Sequence, residues 1–432
     1  MVLPLSNRAD RVVQPTLAFL HEIFRGYGPL DFTVELWDGT RWEPAQGRPS
    51  RFTMVLRHPG TLRKMFWRFS ELSLGEAFIH GDFDVEGDLG GAFRLADYFR
   101  GMHWGVKERL RYSRFLLTLP SPQPPPPRRR PAKLRGALHS VRRDRSAVAY
   151  HYDVSNRFYE LWLDRRMVYS TGYFHDAAED LDTAQERKLD YVCRKLRLRG
   201  GERMLDIGCG WGALVLHAAR NYGVEAVGIT LSRAQAELAN ERIREAGMEG
   251  RCRVAVEDYR TLGESGRFDK IASVGMFEHV GRSRLGEYFG AAWRLLRPGG
   301  AFLNHGIAAG PGADAPAPAE SFVDRYVFPD GDLFSVSLTL RAAEECGFEV
   351  RDVECLREHY ILTLRHWVRR LEEHMDEACR ATDDVTCRIW RLYMTGSAHA
   401  FETGRNSVYQ VLLSKADGGK SGMPLTRADW YS

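Results

Sequence analysis

One stretch limits what this chain can fold into more than any other: Met204-Leu-Asp-Ile-Gly-Cys-Gly-Trp-Gly-Ala-Leu. A short apolar run ends at Asp206, glycines follow at 208, 210 and 212, and a helical pattern begins beyond Trp211. Glycine takes tight or left-handed turns at little steric cost and lets a ligand approach the main chain. Amides at the start of the next helix then face that ligand. A lone Gly-x-Gly closes many strands for geometric reasons alone. With a strand before it and a helix after it, this turn reads as a nucleotide-binding one.

The surrounding pattern extends the reading. Strands are predicted at Met204–Ile207, Glu225–Ile229, Arg253–Val256, Lys270–Val274 and Ala301–His305. Helical periodicity at Ala213–Asn221, Arg233–Glu245 and Arg284–Leu296 separates them, and Arg297-Pro-Gly-Gly reads as a turn. Phe348–Leu356 and Val408–Leu413 supply two closing strands. Such alternation means a doubly wound α/β fold, a parallel sheet with helices on both faces. Ligands of these sheets sit beyond the carboxyl ends of the strands. That rule selects Gly208 to Gly212, Thr230-Leu231-Ser232, Asp258-Tyr259, Gly275 to His279, and His305 onward.

At 432 residues the chain is comfortable as two domains. Its hydrophobic and charged fractions, 44% and 27%, are those of an ordinary soluble protein. Nothing approaches the ~20-residue apolar run that spans a bilayer, and the N-terminus lacks an apolar secretion core. The seven cysteines are scattered without a Cys-x-x-Cys pair, so neither a disulfide framework nor a metal site is expected. Residues 1–119 read as a small N-terminal α/β domain, with strands at Phe32-Thr-Val-Glu-Leu-Trp and Phe52-Thr-Met-Val-Leu-Arg and a turn at Asp38-Gly39. A packing role and a lipid-handling role both suit it. Arg100 to Arg145 holds thirteen Lys/Arg against Glu108 and Asp144, a local charge of 13 − 2 = +11. The net charge of +4 leaves −7 for the remainder. A helix from Trp104, with Leu110, Phe115 and Leu116 beside cations, opens this segment. Residues 120–145 read as a Pro/Arg-rich linker, since Pro124-Pro-Pro-Pro before Arg128-Arg-Arg bars a helix. Anionic lipid attracts such clusters; a plain solvated tether is the alternative. Nucleic acid is not expected, because no reading motif accompanies the charge.

A nicotinamide enzyme would place an acid at the tip of the second strand, but that strand ends Gly228-Ile-Thr-Leu-Ser. Asp206-x-Gly-x-Gly before a compact helix is instead typical of methyltransferases that use S-adenosylmethionine. Asp206 suits the methionine portion and Asp258 the adenine edge.

Further motifs stand in order: Tyr150-His-Tyr-Asp-Val-Ser-Asn-Arg-Phe-Tyr, Val168-Tyr-Ser-Thr-Gly-Tyr-Phe, Leu205-Asp-Ile-Gly-Cys-Gly-Trp-Gly and Val227-Gly-Ile-Thr-Leu-Ser-x-x-Gln. Asp258-Tyr-Arg, Ser273-Val-Gly-Met-Phe-Glu-His-Val, Leu303-Asn-His-Gly-Ile and His359-Tyr-x-x-Thr-Leu follow. Together they resemble the cyclopropane-fatty-acid-phospholipid synthase and mycolic acid cyclopropane synthase family, from about Ala149 to Tyr409. The resemblance implies a seven-stranded, mostly parallel, Rossmann-like sheet over 146–432 with a helical lipid-facing insertion. It implies methyl transfer from S-adenosylmethionine to a cis double bond of an unsaturated phospholipid acyl chain. The resulting carbocation then loses a proton to a bound bicarbonate and closes a cyclopropane ring. The bicarbonate ligands carried over are Glu278, His305, Tyr360, the main chain at Ile307 and the turn at Thr171. The cofactor positions are Tyr169, Ser170, Asp206, Gly208, Cys209, Gly210, Thr230, Leu231, Gln235, Asp258, Tyr259 and Arg260. Aromatic rings near the site (Tyr169, Tyr173, Phe174, Phe277, Tyr360) suit a cation, although each ring also fits an ordinary core.

Two departures bear on the outcome. Thr171 stands where the family usually has cysteine, and Ser397 stands where relatives often carry one, so no cysteine nucleophile is expected there. A methylene- or methyl-branched product stays open beside the ring. So does a non-catalytic lipid-binding protein on the same fold, which the joint presence of Glu278, His305 and Tyr360 disfavours. A cytoplasmic protein, peripheral at an anionic inner membrane face, is expected, and a homodimer is left open.

Overall fold

The computed structural model describes residues 6–44, 49–102, 105–121, 134–152, 154–263, 266–311 and 321–431, with backbone alone for 6–10. Trp104, Asp153 and the Pro/Arg stretch 122–133 lie outside the described residues. Two compact units result. The first takes Met1–Pro131 with Glu320–Phe322 and Asp383–Gly396; the second takes Ala132–Ala319, Val323–Thr382 and Ser397–Ser432.

In the first unit, β1 (Phe32–Glu35), β2 (Arg41–Trp42), β3 (Phe52–Leu56) and β4 (Phe83–Gly87) form one sheet in the order β2-β1-β3-β4. The turn stands where Asp38-Gly39 predicted it: Gly39 has φ +87° and its N–H donates to Leu36 O at 3.0 Å. Phe19, Phe24, Phe32, Phe52, Phe66 and Phe99 are buried together, each ring contributing roughly 1.5–3 kcal/mol of apolar burial. Residues 383–396 were expected in the second domain and instead belong here. The reason is Arg388, whose guanidinium lies 4.3 Å from the Phe78 ring centroid and donates to Phe78 O, Phe83 O and Asp84 Oδ2. A surface-looking arginine in a helical pattern gives no hint of such partners 300 residues away.

The second unit holds β5 (Arg203–Ile207), β6 (Glu225–Thr230), β7 (Cys252–Val256), β8 (Phe268–Val274), β9 (Leu296–Ala309), β10 (Glu349–Cys355) and β11 (Asn406–Ser414). Their order is β10-β11-β9-β8-β5-β6-β7, and only β11 runs against the rest. This is the expected seven-stranded, mostly parallel sheet. Helices Leu181–Leu196, Ala213–Tyr222 and Arg233–Glu245 bury their apolar stripes on one face; Leu285–Leu295 and Val336–Glu345 do so on the other. The Arg297-Pro-Gly-Gly turn survives as an irregularity inside β9: Phe268 pairs with Leu296 but Lys270 with Ala301. Gly299 takes φ +75° there.

The expected linker ends earlier than 145. Val141–Tyr152 is a helix. Two of its charged residues are tied to distant parts of the second unit: Arg143 Nε meets Asp330 Oδ2 at 2.6 Å, and Asp144 Oδ2 accepts from Arg260 at 2.9 Å. A run of basic residues that reads as solvated tether is here partly consumed in ion pairs.

Candidate active site

Order reversal in the sheet falls at β5, which is flanked by β6 and β8, and crevices form at such points. A cavity of about 1150 Å³, its mouth included, opens there. All twelve residues expected to hold the cofactor line it. The glycine turn makes it possible. Gly208, Gly210 and Gly212 have φ of +80°, +52° and +78°. A Cβ on Gly208 would stand 2.6 Å from Met276 Cβ. Gly208 and Cys209 N–H both donate to Ile229 O, at 2.9 and 3.0 Å, which ties the loop to β6.

Around the loop the polar side chains are held before any ligand arrives. Thr230 Oγ1 donates to Gln235 Oε1 at 2.7 Å, and Ser232 caps the following helix by accepting from Gln235 N at 3.2 Å. Arg260 grips both oxygens of Asp258, at 2.8 and 2.6 Å, and reaches Asp144 and His139 O from the same fork. Asp144, Val148 and Tyr152, spaced four apart, present one face of helix Val141–Tyr152 to the cavity. That helix was not among the expected site elements.

Beside Asp258, Asp206 and Lys188 are buried charged residues of this cavity. Burial pushes the Asp206 carboxyl up to about 7, with Lys188 pulling the other way, and brings the Lys188 ammonium down to about 8. Lys188 Nζ donates to Ser170 Oγ at 2.9 Å. Asp206 Oδ1 finds no partner among the described residues. A buried acceptor left so costs roughly 1–3 kcal/mol, and a ligand carrying N–H groups would recover it. Lys188 was missed in the sequence reading, yet a signal existed. It stands with Leu181, Ala184, Gln185, Leu189 and Val192 on the buried stripe of its helix, where a lysine is out of pattern.

The five residues expected to do the chemistry do not line this cavity; three of them neighbour residues that do. Thr171 follows the lining residue Ser170, Glu278 follows Met276 by two, and His305 pairs in register with Val274. Glu278 Oε1 accepts from Ile307 N at 2.7 Å, so that amide already serves the carboxylate. Glu278 Oε2 and His305 Nδ1 are buried without partners among the described residues. Burial pushes the Glu278 carboxyl up to about 7, against the Ile307 hydrogen bond. Burial, then the charges of Lys188 and Lys195, bring His305 down to about 3. Near neutral pH the imidazole is therefore uncharged. Thr171 is fully buried and its Oγ1 donates to Gly172 O at 3.1 Å, so the hydroxyl is turned onto its own turn. The Tyr360 ring packs against Phe401 at 4.8 Å and Trp367 at 5.9 Å. Trp367 in turn lies 5.2 Å from Tyr169, which also contacts Trp162 and Tyr159. Aromatic walls thus run from the cofactor side toward Tyr360.

A raised acid has a consequence for stability. The folded protein keeps the Glu278 proton up to about 7, whereas an ordinary value is 4.5. Its contribution is full below 4.5 and is lost as pH rises through about 7. His279, down at about 4, and His305, at about 3, act oppositely: theirs is present above 6.5 and lost as pH falls through those values. Glu278→Gln should therefore gain stability relative to the parent between pH 5 and pH 8, by up to about 3 kcal/mol. Urea unfolding at the two pH values measures this, and parallel profiles would refute it.

The comparisons agree with the geometry. A family model described as mycolic acid cyclopropane synthetase matches residues 139–411. The probable fatty acid methyltransferase of Pseudomonas putida is 40% identical over 421 residues, 96% of this chain and 98% of its own length. The cyclopropane-fatty-acyl-phospholipid synthase of Escherichia coli (strain K12) is 35% identical over 277 residues, covering 64% of this chain and 69% of that one. The crystal structure of mycolic acid cyclopropane synthase CmaA1 complexed with SAH and CTAB superposes with a TM-score of 0.58 at 32% identity, covering 62% of this chain and 97% of that one. With that fold, cavity and ancestry, this chain belongs to the mycolic acid cyclopropane synthetase family and is an S-adenosylmethionine-dependent methyltransferase.

Proposed function

We propose that the protein methylates a cis double bond in an unsaturated phospholipid acyl chain and closes a cyclopropane ring. One observation carries most of the weight. Two orphaned, buried polar atoms support it: Glu278 Oε2, on the turn that carries the lining residues Met276 and His279, and His305 Nδ1, on the strand that pairs with the lining residue Val274. S-adenosylmethionine, when bound by the glycine turn, Asp206 and the Thr230–Gln235 pair, supplies an electrophilic methyl group. The alkene carbon forms a bond to that methyl as the sulfur–carbon bond breaks, leaving a positive charge on the neighbouring carbon of the chain. Loss of a proton from the new methyl returns an electron pair, which closes the ring. The balance is one ring, one proton and S-adenosylhomocysteine.

This chain's residues meet the two needs of that sequence. Aromatic side chains at Tyr169, Trp162, Trp367 and Tyr360 exclude water and offer ring faces to a cation. Glu278, with its carboxyl near 7, holds or yields a proton at Oε2 close to neutral pH. A small oxyanion such as bicarbonate is the proton acceptor in this reading: Glu278 in its protonated form would donate to it from Oε2, and neutral His305 would donate from Nδ1 in the tautomer that carries the proton there. Glu278 Oε2, His305 Nδ1, Tyr360 and the main chain at Thr171 would hold it, and it would supply a base; the Ile307 amide is already engaged by Glu278 Oε1 and the Thr171 hydroxyl by Gly172 O. A methylene-branched product is the second reading, because Thr171 fills the turn beside Ser170 with a hydroxyl. Mass analysis of membrane lipids after expression, with fragmentation to separate ring from methylene isomer, tests both. Unchanged unsaturated chains would refute the reading.

The substrate's location follows from its chemistry, and we place the protein at the anionic inner face of a membrane. Among the described residues no helix is long and apolar enough to cross one. Helix Val106–Thr118 instead exposes Val106, Leu110 and Leu117 at 76%, 60% and 60% beside Lys107, Arg109 and Arg114. Such a face suits an anionic surface, at roughly 1 kcal/mol per basic residue. Replacing Arg128, Arg129 and Arg130 by serine, or Leu110 and Leu117 by serine, should each weaken vesicle binding. The first effect should fade as salt rises. Unchanged binding across a salt series removes the membrane role.

A further inference from the structure

Gln410 is fully buried in the middle of β11, and neither Nε2 nor Oε1 of its amide finds a partner among the described residues. Two orphaned groups on one side chain, each costing roughly 1–3 kcal/mol, are not retained in a core for packing. Its neighbours say where the amide stands. Gln410 pairs in antiparallel register with His305 on β9. Residues so opposed carry their Cβ atoms about 4.5–5.5 Å apart on one face of the sheet. Two positions along, Leu412 and its partner Leu303 share the apolar cluster that packs under helix Leu181–Leu196. His305 and Gln410 therefore face that helix too, the one that carries Lys188 and Lys195.

The other neighbour does not satisfy the amide. Glu354 pairs with Gln410 from β10, but its carboxylate takes Tyr191 Oη at 3.0 Å and Lys195 Nζ at 2.5 Å. One cross-strand pair thus carries three buried polar atoms without partners among the described residues: His305 Nδ1 and both ends of the Gln410 amide. The two side chains are neighbours and are not bonded to each other. A single small molecule that both donates and accepts would satisfy all three.

We propose that Gln410 is a positioning residue for His305, its carboxamide holding the Nδ1 side of the ring through one small hydrogen-bonding molecule, water or an oxyanion. The bond made at one ring nitrogen sets the proton on the other. Gln410 thereby selects the tautomer that His305 presents to the reaction. This rests on the catalytic reading of His305 given above.

Gln410→Met separates the alternatives. It keeps the volume and removes both orphaned groups, so a purely structural role predicts a protein at least as stable and fully active. The proposal predicts the same or higher Tm and a kcat lowered by about 10–100-fold. KM for S-adenosylmethionine and for unsaturated phospholipid vesicles should stay within about twofold, because positioning acts on the reacting state. Gln410→Asn, which keeps the amide but withdraws it by one methylene, should fall between. A Met variant with the parent's kcat overturns the proposal, and so does one that fails to fold, since either makes the amide structural or idle. If the parent itself leaves unsaturated chains unmodified, the functional reading has failed instead.

Discussion

Glu278→Gln is expected to slow product formation by about 10²–10⁴-fold, the range typical of a lost acid–base group, while S-adenosylmethionine binds with nearly the parent's affinity. The split follows from geometry. Glu278 does not line the cofactor cavity, and its Oε1 is engaged by the Ile307 amide rather than by any cofactor-facing group. The amide of glutamine keeps that Ile307 contact through its oxygen but cannot exchange a proton at the Oε2 position. His305→Ala should behave alike, for His305 does not line the cavity and sits on the neighbouring strand, paired with the lining residue Val274. Calorimetric titration with the cofactor, beside a lipid turnover assay, gives both readouts. Loss of binding together with turnover would mean that these residues support the fold.

Gly208→Ala is expected to do the reverse and abolish cofactor binding first. The backbone there has φ +80°, and the new Cβ would lie 2.6 and 2.7 Å from Met276 Cβ and Cγ. A left-handed conformation costs a side-chain-bearing residue roughly 1–2 kcal/mol, and the clash adds to it. Because Gly208 N–H anchors the loop to Ile229, any shift that relieves the clash displaces the cofactor cradle. An affinity loss of about 10–100-fold should result, with a lower Tm. Adding Met276→Gly, which removes both the Cβ and the Cγ that the new methyl meets, should relieve the clash and leave the backbone strain, which a double-mutant cycle would resolve. Unaltered affinity in Gly208→Ala would mean that the loop does not hold the ligand.

Much of the second unit was legible in the chain because its strands are buried on both faces. Met204–Ile207 and Lys270–Val274 are short apolar runs closed by glycine, and the structure begins or ends them within two residues of expectation. Part of the cavity lining was legible for the same reason: Gly208, Leu231 and Asp258 follow strand ends, so position in sequence and position in space coincide, whereas Tyr169 and Ser170 follow no strand. What escaped depends on contacts across the chain. Asp144 meets Arg260 over 116 residues and Arg388 meets Phe78 over 310. No local period announces either one. Lys188 and Gln410 escaped for a different reason. Both are polar groups at positions whose neighbours are apolar, and a pattern read for hydrophobic spacing passes over them. Their burial carries the information, and burial is a property of the fold.

The central claim is that a carbon–carbon double bond accepts the methyl group. Purified protein incubated with methyl-deuterated S-adenosylmethionine and vesicles of unsaturated phospholipid tests it directly. The expected result is an acyl chain heavier by one deuterated CH₂ group, with its double bond gone and a ring in the fragmentation pattern. Label found on an oxygen or nitrogen of any acceptor, with the acyl double bonds intact, would contradict it.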